Sequence, residues 1–262
     1  MKRLSFSYDM QLMFDAPVTG HHFTIKCIPK SDDRQKIEQF NIRIEPKCHM
    51  SESKDSYGNE CLYGHMESEH NLFSIHTEGI ISTGLSDVQS IENIHKLNMY
   101  KYPTQLVRPG KEIKRFFATL ALDKGMNKLE KAIEIAKRLY EEMEYVAGST
   151  NMATTAEEAF AARKGVCQDY AHIMISLCQL AHIPARYVVG FMKGEGESHA
   201  WVEIVAEDGI YAIDPTNNLV VDDEHIRISC GRDSSDCLIN NGYFYSNAKQ
   251  NRDIKLIVED IT

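Results

Sequence analysis

Cys167, His199 and Asp214 fall within one stretch of the chain, in an order and at settings that suit acyl transfer by a thiol. Each marks the end of an expected element. Cys167 follows Gly165-Val166 and opens a helical pattern. His199 follows the glycine-containing turn at 193–198 and opens a strand pattern over 199–205. Asp214 closes a second strand pattern, 210–214, directly before Pro215. An activated cysteine nucleophile needs a thiol with a base beside it and a group that orients the base. A helix start adds free backbone N–H groups and the positive end of the dipole, both of which favour a thiolate. The same N–H groups suit the oxyanion formed when the thiolate attacks a carbonyl. The plainer reading of a lone cysteine is a small buried core residue. The Gly-Val-Cys lead-in and the downstream histidine and aspartate weigh against it here.

The elements that would hold these groups can be counted. From Cys167, the residues Tyr170, Ala171, Met174, Leu177, Cys178 and Ala181 recur at helical spacing and give one apolar face. Pro184 stops the helix. Among the eleven histidines, His172 would point about 140° away from Cys167 on the same helix. His182 would lie roughly 22 Å along the axis. His199 begins an alternating strand with Ala200, Val202 and Ile204 on one face and Trp201, Glu203 and Val205 on the other. The turn Glu207-Asp208-Gly209 joins it to 210–214 as a hairpin, so the start of one strand lies beside the end of the next. That brings His199 and Asp214 together, a base with its orienting carboxylate. Asp169 is a rival for the carboxylate, although two residues past Cys167 place it about 200° round the helix. Tyr145 and Asn151, just upstream, are candidates for a second oxyanion donor, and a structural role is open for each. Trp201 either shields the His–Asp contact from water or simply packs in the core.

The segments GVCQDYAH, HIPARYVVG, HAWVEI and AIDPTNN, in that order, resemble the transglutaminase-like superfamily of cysteine enzymes, and within it the bacterial transglutaminase-like cysteine protease group. The resemblance implies a papain-like core with Cys167 as nucleophile, His199 as general base and acid, and Asp214 as orienting carboxylate. It also implies an α+β fold: a papain/transglutaminase-like catalytic core with an N-terminal β-sandwich domain. The segment GRDSSDC departs from the family's usual form, which carries Tyr and Val there. DSYGNE resembles the turn of the attached β-domain; its Gly and Asn are otherwise explained by turn chemistry, in preference to a ligand site.

The 262 residues accommodate two domains. Residues 1–85 read as short alternating strands broken by turn signals, 86–106 as a linker, and 107–262 as the catalytic domain. Helices are expected over 111–122 and 127–146, the second with Asn127 and Glu130 as a capping pair, and a short helix starts at Thr155 with Glu158. Closing strands are expected from Leu238 onward. A formal net charge of −9 with dispersed cations gives no footprint for nucleic acid or an acidic membrane surface. No apolar run approaches the roughly 18 residues of a membrane span, and 1–10 lacks the apolar core of a signal peptide. Seven cysteines without a Cys-x-x-Cys pair argue against a disulfide framework and a structural zinc. The expectation is a cytoplasmic enzyme with no metal and no cofactor, acting on a peptide or protein. The leading activity is hydrolysis of an amide through a thioester. Transamidation through the same acyl-enzyme is the alternative, and a non-catalytic binding module is the reading from a different class. The acidic run 222–224 is no EF-hand, which leans away from a calcium-dependent transglutaminase.

Overall fold

In the computed structural model, residues 1–91 and 97–262 are described. The linker expected over 86–106 falls partly outside the described residues. The α+β class is as the sequence implies, and the N-terminal strands form one curled sheet.

That sheet is organised by its first strand, Lys2–Ile25. Leu4, Phe6, Tyr8, Met10, Leu12 and Phe14 alternate inward, the period-2 pattern of a strand with one buried face. The sequence suggests two strands here, but the structure has one. Its pairing with His70–Thr83 shifts register between Met13 and Val18, around Pro17, a residue that cannot donate to the ladder and is accommodated at such irregularities. Beyond the shift the same strand takes new partners, Glu60–Met66 and Asn240–Tyr245. The two halves share one core, with Phe14, Phe23, Leu62, Met66 and Phe73 among its members. Edge strand His49–Lys54 is exposed throughout and has no alternation to announce it.

The second sheet has the order Leu219–Val220, Ile210–Asp214, His199–Val205, Ala185–Met192, His225–Gly231. Helices Lys111–Phe117, Lys128–Glu142, Ala156–Ala162 and Cys167–Leu180 contribute to the core on one face, where Ala200, Val202 and Ile204 point. Asn127 with Glu130 and Thr155 with Glu158 form full capping boxes. The other face carries Val188, Trp201, Ala212 and Cys230, with Tyr57 of the N-terminal region packed against them, and further along Ala185–Met192 the Phe191 ring stands 5.4 Å from those of Phe6 and Tyr8. The helix Cys167–Leu180 is buried from Asp169 to Cys178 on every side, polar positions included, so it is more enclosed than its single apolar stripe suggests.

The C-terminal strands Asn240–Tyr245 and Gln250–Asp260 return to the N-terminal sheet, so sheet membership does not divide at one point in the chain. Gln250–Asp260 pairs along nearly its whole length with the first strand, and on its other edge with Gly194–Gly196, the segment leading into His199.

Candidate active site

The lead-in to the central helix is fixed by a buried carboxylate. Asp169 Oδ2 accepts the Val166 N–H at 2.8 Å and the Thr150 hydroxyl at 2.6 Å. This is the return half of a capping box; Val166 has no acceptor to complete it. A Cβ at Gly165 would stand 2.6 Å from the Asp169 Cβ, so the glycine is needed for the helix end to close against the loop. Lys164–Gly165 also pairs in parallel with Glu144–Tyr145. Cys167 is therefore the first helical residue on a start anchored from both sides, half-buried and free. Its own N–H and that of Gln168 belong to the unpaired first turn of the helix.

His199 and Asp214 meet across the hairpin. Val202 pairs with Ile213 and Val205 with Ile210. Continuing that register sets Asp214 opposite Trp201 and puts His199 on the diagonal, a spacing that long side chains span. The His199 Nε2 lies 2.7 Å from Asp214 Oδ2. That leaves Nδ1 free of the carboxylate, and the Cys167 thiol lies near enough to bear on the charge of the ring. Burial works against a charge on His199, but the bond to Asp214 and the nearby Cys167 thiol outweigh it and raise the imidazole to about 10. Asp214 is fully buried. Burial opposes its charge too, yet the donors from His199 and Asn217 and the nearby His225 imidazole hold its carboxyl well below the usual carboxylate range.

The surroundings of Asp214 complete the site. Its Oδ1 accepts the backbone N–H groups of Thr216 at 2.9 Å and Asn217 at 3.3 Å, and its Oδ2 accepts the Asn217 side-chain amide at 2.7 Å. The motif Asp-Pro-Thr-Asn is thus a self-bonded turn that presents the carboxylate. On the solvent side, Tyr140, Met143, Tyr145, Tyr170, Met192, His199, Thr216 and Asn217 line an open cleft of about 930 Å³.

Of the two oxyanion candidates, Tyr145 lies on this cleft and is 56% exposed. Asn151 sits in an exposed loop outside the cleft lining, where its Oδ1 accepts the Ala153 N–H at 2.8 Å. Asp169 is not paired with His199; it serves the helix start instead. His172 is buried, accepts the Ser234 N–H at its Nε2, and is lowered to about 4 by burial, a neutral structural histidine. Trp201 is buried, with its ring 6.3 Å from that of His199. His199, Asp214 and His225 offer ligand atoms within 4.8 Å of one another, but both Asp214 oxygens already accept N–H donors, which suits a carboxylate that orients an imidazole better than a metal ligand. His225 had no signal in the sequence. It lies outside the hairpin, and only the sheet order brings it near.

Residues 117–215 match the Transglutaminase-like superfamily, and residues 4–82 match the Bacterial transglutaminase-like N-terminal region. An uncharacterized protein of Mycobacterium tuberculosis is 25% identical over 257 residues, covering 84% of this chain and 81% of its own. One from Mycobacterium leprae is 21% identical over 256 residues, covering 90% and 91%. A crystal structure from Cytophaga hutchinsonii, described as "a Putative Cysteine Protease", superimposes with a TM-score of 0.83 at 20% identity over 100% of this chain and 91% of that one. The likeness is one of fold.

Proposed function

The chain belongs to the transglutaminase-like superfamily, its core at 117–215 preceded by a bacterial transglutaminase-like N-terminal region at 4–82, and on that premise we propose that it is a cysteine hydrolase acting on amide bonds of peptides. The reading is carried by one observation: a buried carboxylate holds His199 by Nε2, and in this proposal Nδ1 serves the Cys167 thiol at the helix start. In that arrangement the Cys167 proton already rests on His199, and the sulfur attacks the carbonyl carbon as a thiolate. The oxyanion is met by the N–H groups of the helix start. His199 then returns the proton to the departing amine as the C–N bond breaks, leaving a thioester. Water, deprotonated by His199, attacks the thioester; the C–S bond breaks, the acid leaves and the thiol is restored. Asp214 keeps the tautomer and supports the imidazolium throughout. The tyrosine and methionine side chains of the cleft favour a bulky apolar residue beside the scissile bond.

A peptide mixture incubated with the wild type and with Cys167→Ala, with and without a primary amine, and resolved by mass tests the proposal. Hydrolysis yields Cys167-dependent fragments heavier in sum by one water. Amine adducts without fragments would replace hydrolysis by transamidation. Products identical for wild type and Cys167→Ala would remove the enzyme reading.

A further inference from the structure

Asp214 has a second imidazole on it. The His225 Nε2 stands 3.5 Å from Asp214 Oδ2, the oxygen that also holds His199. The contact is long for a hydrogen bond, and Nε2 is buried with no hydrogen-bond partner among the described residues, so Asp214 is the carboxylate within its reach. The side chain is 3% exposed. Its other nitrogen, Nδ1, lies 3.4 Å from Asp222 Oδ1, a residue that is 55% exposed. The ring is also held by its surroundings: Trp201 meets it edge to face at 5.3 Å, and the His199 ring is 6.0 Å away. Trp201 in turn needs Gly190, where a Cβ would stand 2.4 Å from the indole. A buried polar nitrogen aimed at a buried carboxylate is costly unless the two are bonded.

We propose that His225 is a positioning residue of this site: it donates from Nε2 to Asp214 and fixes the carboxylate that orients His199. The inference rests on the reading of Cys167, His199 and Asp214 given above. It acts through geometry. Asp214 is restrained in its own turn by Thr216 and Asn217, and His225 supplies its donor to Oδ2 from outside the hairpin, on strand His225–Gly231. Displacing a catalytic group by about 1 Å can lower a rate on the order of a hundredfold, so a partner that holds the carboxylate from outside the hairpin has a measurable role.

Two measurements test this. Long-range ¹⁵N–¹H NMR of the wild type reads the tautomer of His225; a proton on Nε2 is expected, and an unprotonated Nε2 overturns the proposal whatever the variants do. The second compares His225→Phe, which keeps an aromatic ring against Trp201 but no donor, with His225→Gln, which keeps a donor. The readouts are iodoacetamide alkylation of Cys167, followed by mass, and the downfield proton of the His199–Asp214 bond. The Phe variant should alkylate about tenfold more slowly or worse and lose that resonance, with Gln restoring both. A folded Phe variant with the wild-type rate and resonance overturns the proposal. Neither measurement depends on hydrolysis, so a wild type that behaves as expected but cleaves no peptide would count against the hydrolase reading and leave the role of His225 standing.

Discussion

The chemistry of the site depends on how one aspartate is surrounded. Asp214 is buried, and every donor on it is a nitrogen. Asp214→Asn keeps the shape and removes the charge; by analogy with other triads it should lower any turnover that depends on Cys167 by about 10⁴-fold. The pH dependence has a definite sign. His199 is raised to about 10, above its ordinary value of 6.5. Its contribution to stability is therefore complete below about pH 6.5 and is lost as pH rises through about 10. Thermal unfolding followed across that window should fall more steeply for the wild type than for Asp214→Asn. A parallel fall in the two would deny the pair its role. The three candidate residues were legible because each punctuates an element. His225 and Asn217 were not: one reaches Asp214 from a strand three places away in the sheet, and the other works through a side-chain amide that has no pattern in sequence.

At the scale of elements, the helix start and the hairpin position the site. The hairpin register could be read from the alternation of 199–205 and the Glu-Asp-Gly turn, and His199 falls on the diagonal from Asp214 as that register requires. The helix start hid one feature. Asp169 reads as a spare carboxylate in sequence, yet it binds Val166 N and Thr150 across a loop whose path no local pattern sets. Asp169→Ala should cost about 1–3 kcal/mol of stability by leaving Val166 N unpaired, read as a lower denaturant midpoint, and should slow Cys167 alkylation. A variant with unchanged stability would show that the helix start is held by other means.

The whole molecule shows why the N-terminal sheet belongs to the site. Strand His225–Gly231 is the edge of the second sheet, and an open edge invites pairing with other chains. Two amides of the N-terminal region close it. Gln35 accepts the Arg227 N–H at 2.8 Å and donates to its carbonyl at 2.9 Å. Asn59, within the turn DSYGNE, does the same for Cys230 at 2.8 and 2.7 Å. That turn was read from its Gly and Asn as backbone chemistry; its docking role depends on a partner some 170 residues away. Gln35→Ala and Asn59→Ala should each destabilise by about 1–3 kcal/mol, and the double variant should elute at higher mass in size-exclusion chromatography if the edge is released. The most direct test of the account as a whole is site-resolved alkylation of all seven cysteines at about pH 6, where free thiols react slowly, in the wild type and in His199→Ala. The expected result is that Cys167 reacts far ahead of the half-buried Cys48 and loses that lead when His199 is removed. Equal rates for Cys167 and Cys48, or a lead that survives His199→Ala, would contradict the pairing of thiol and imidazole.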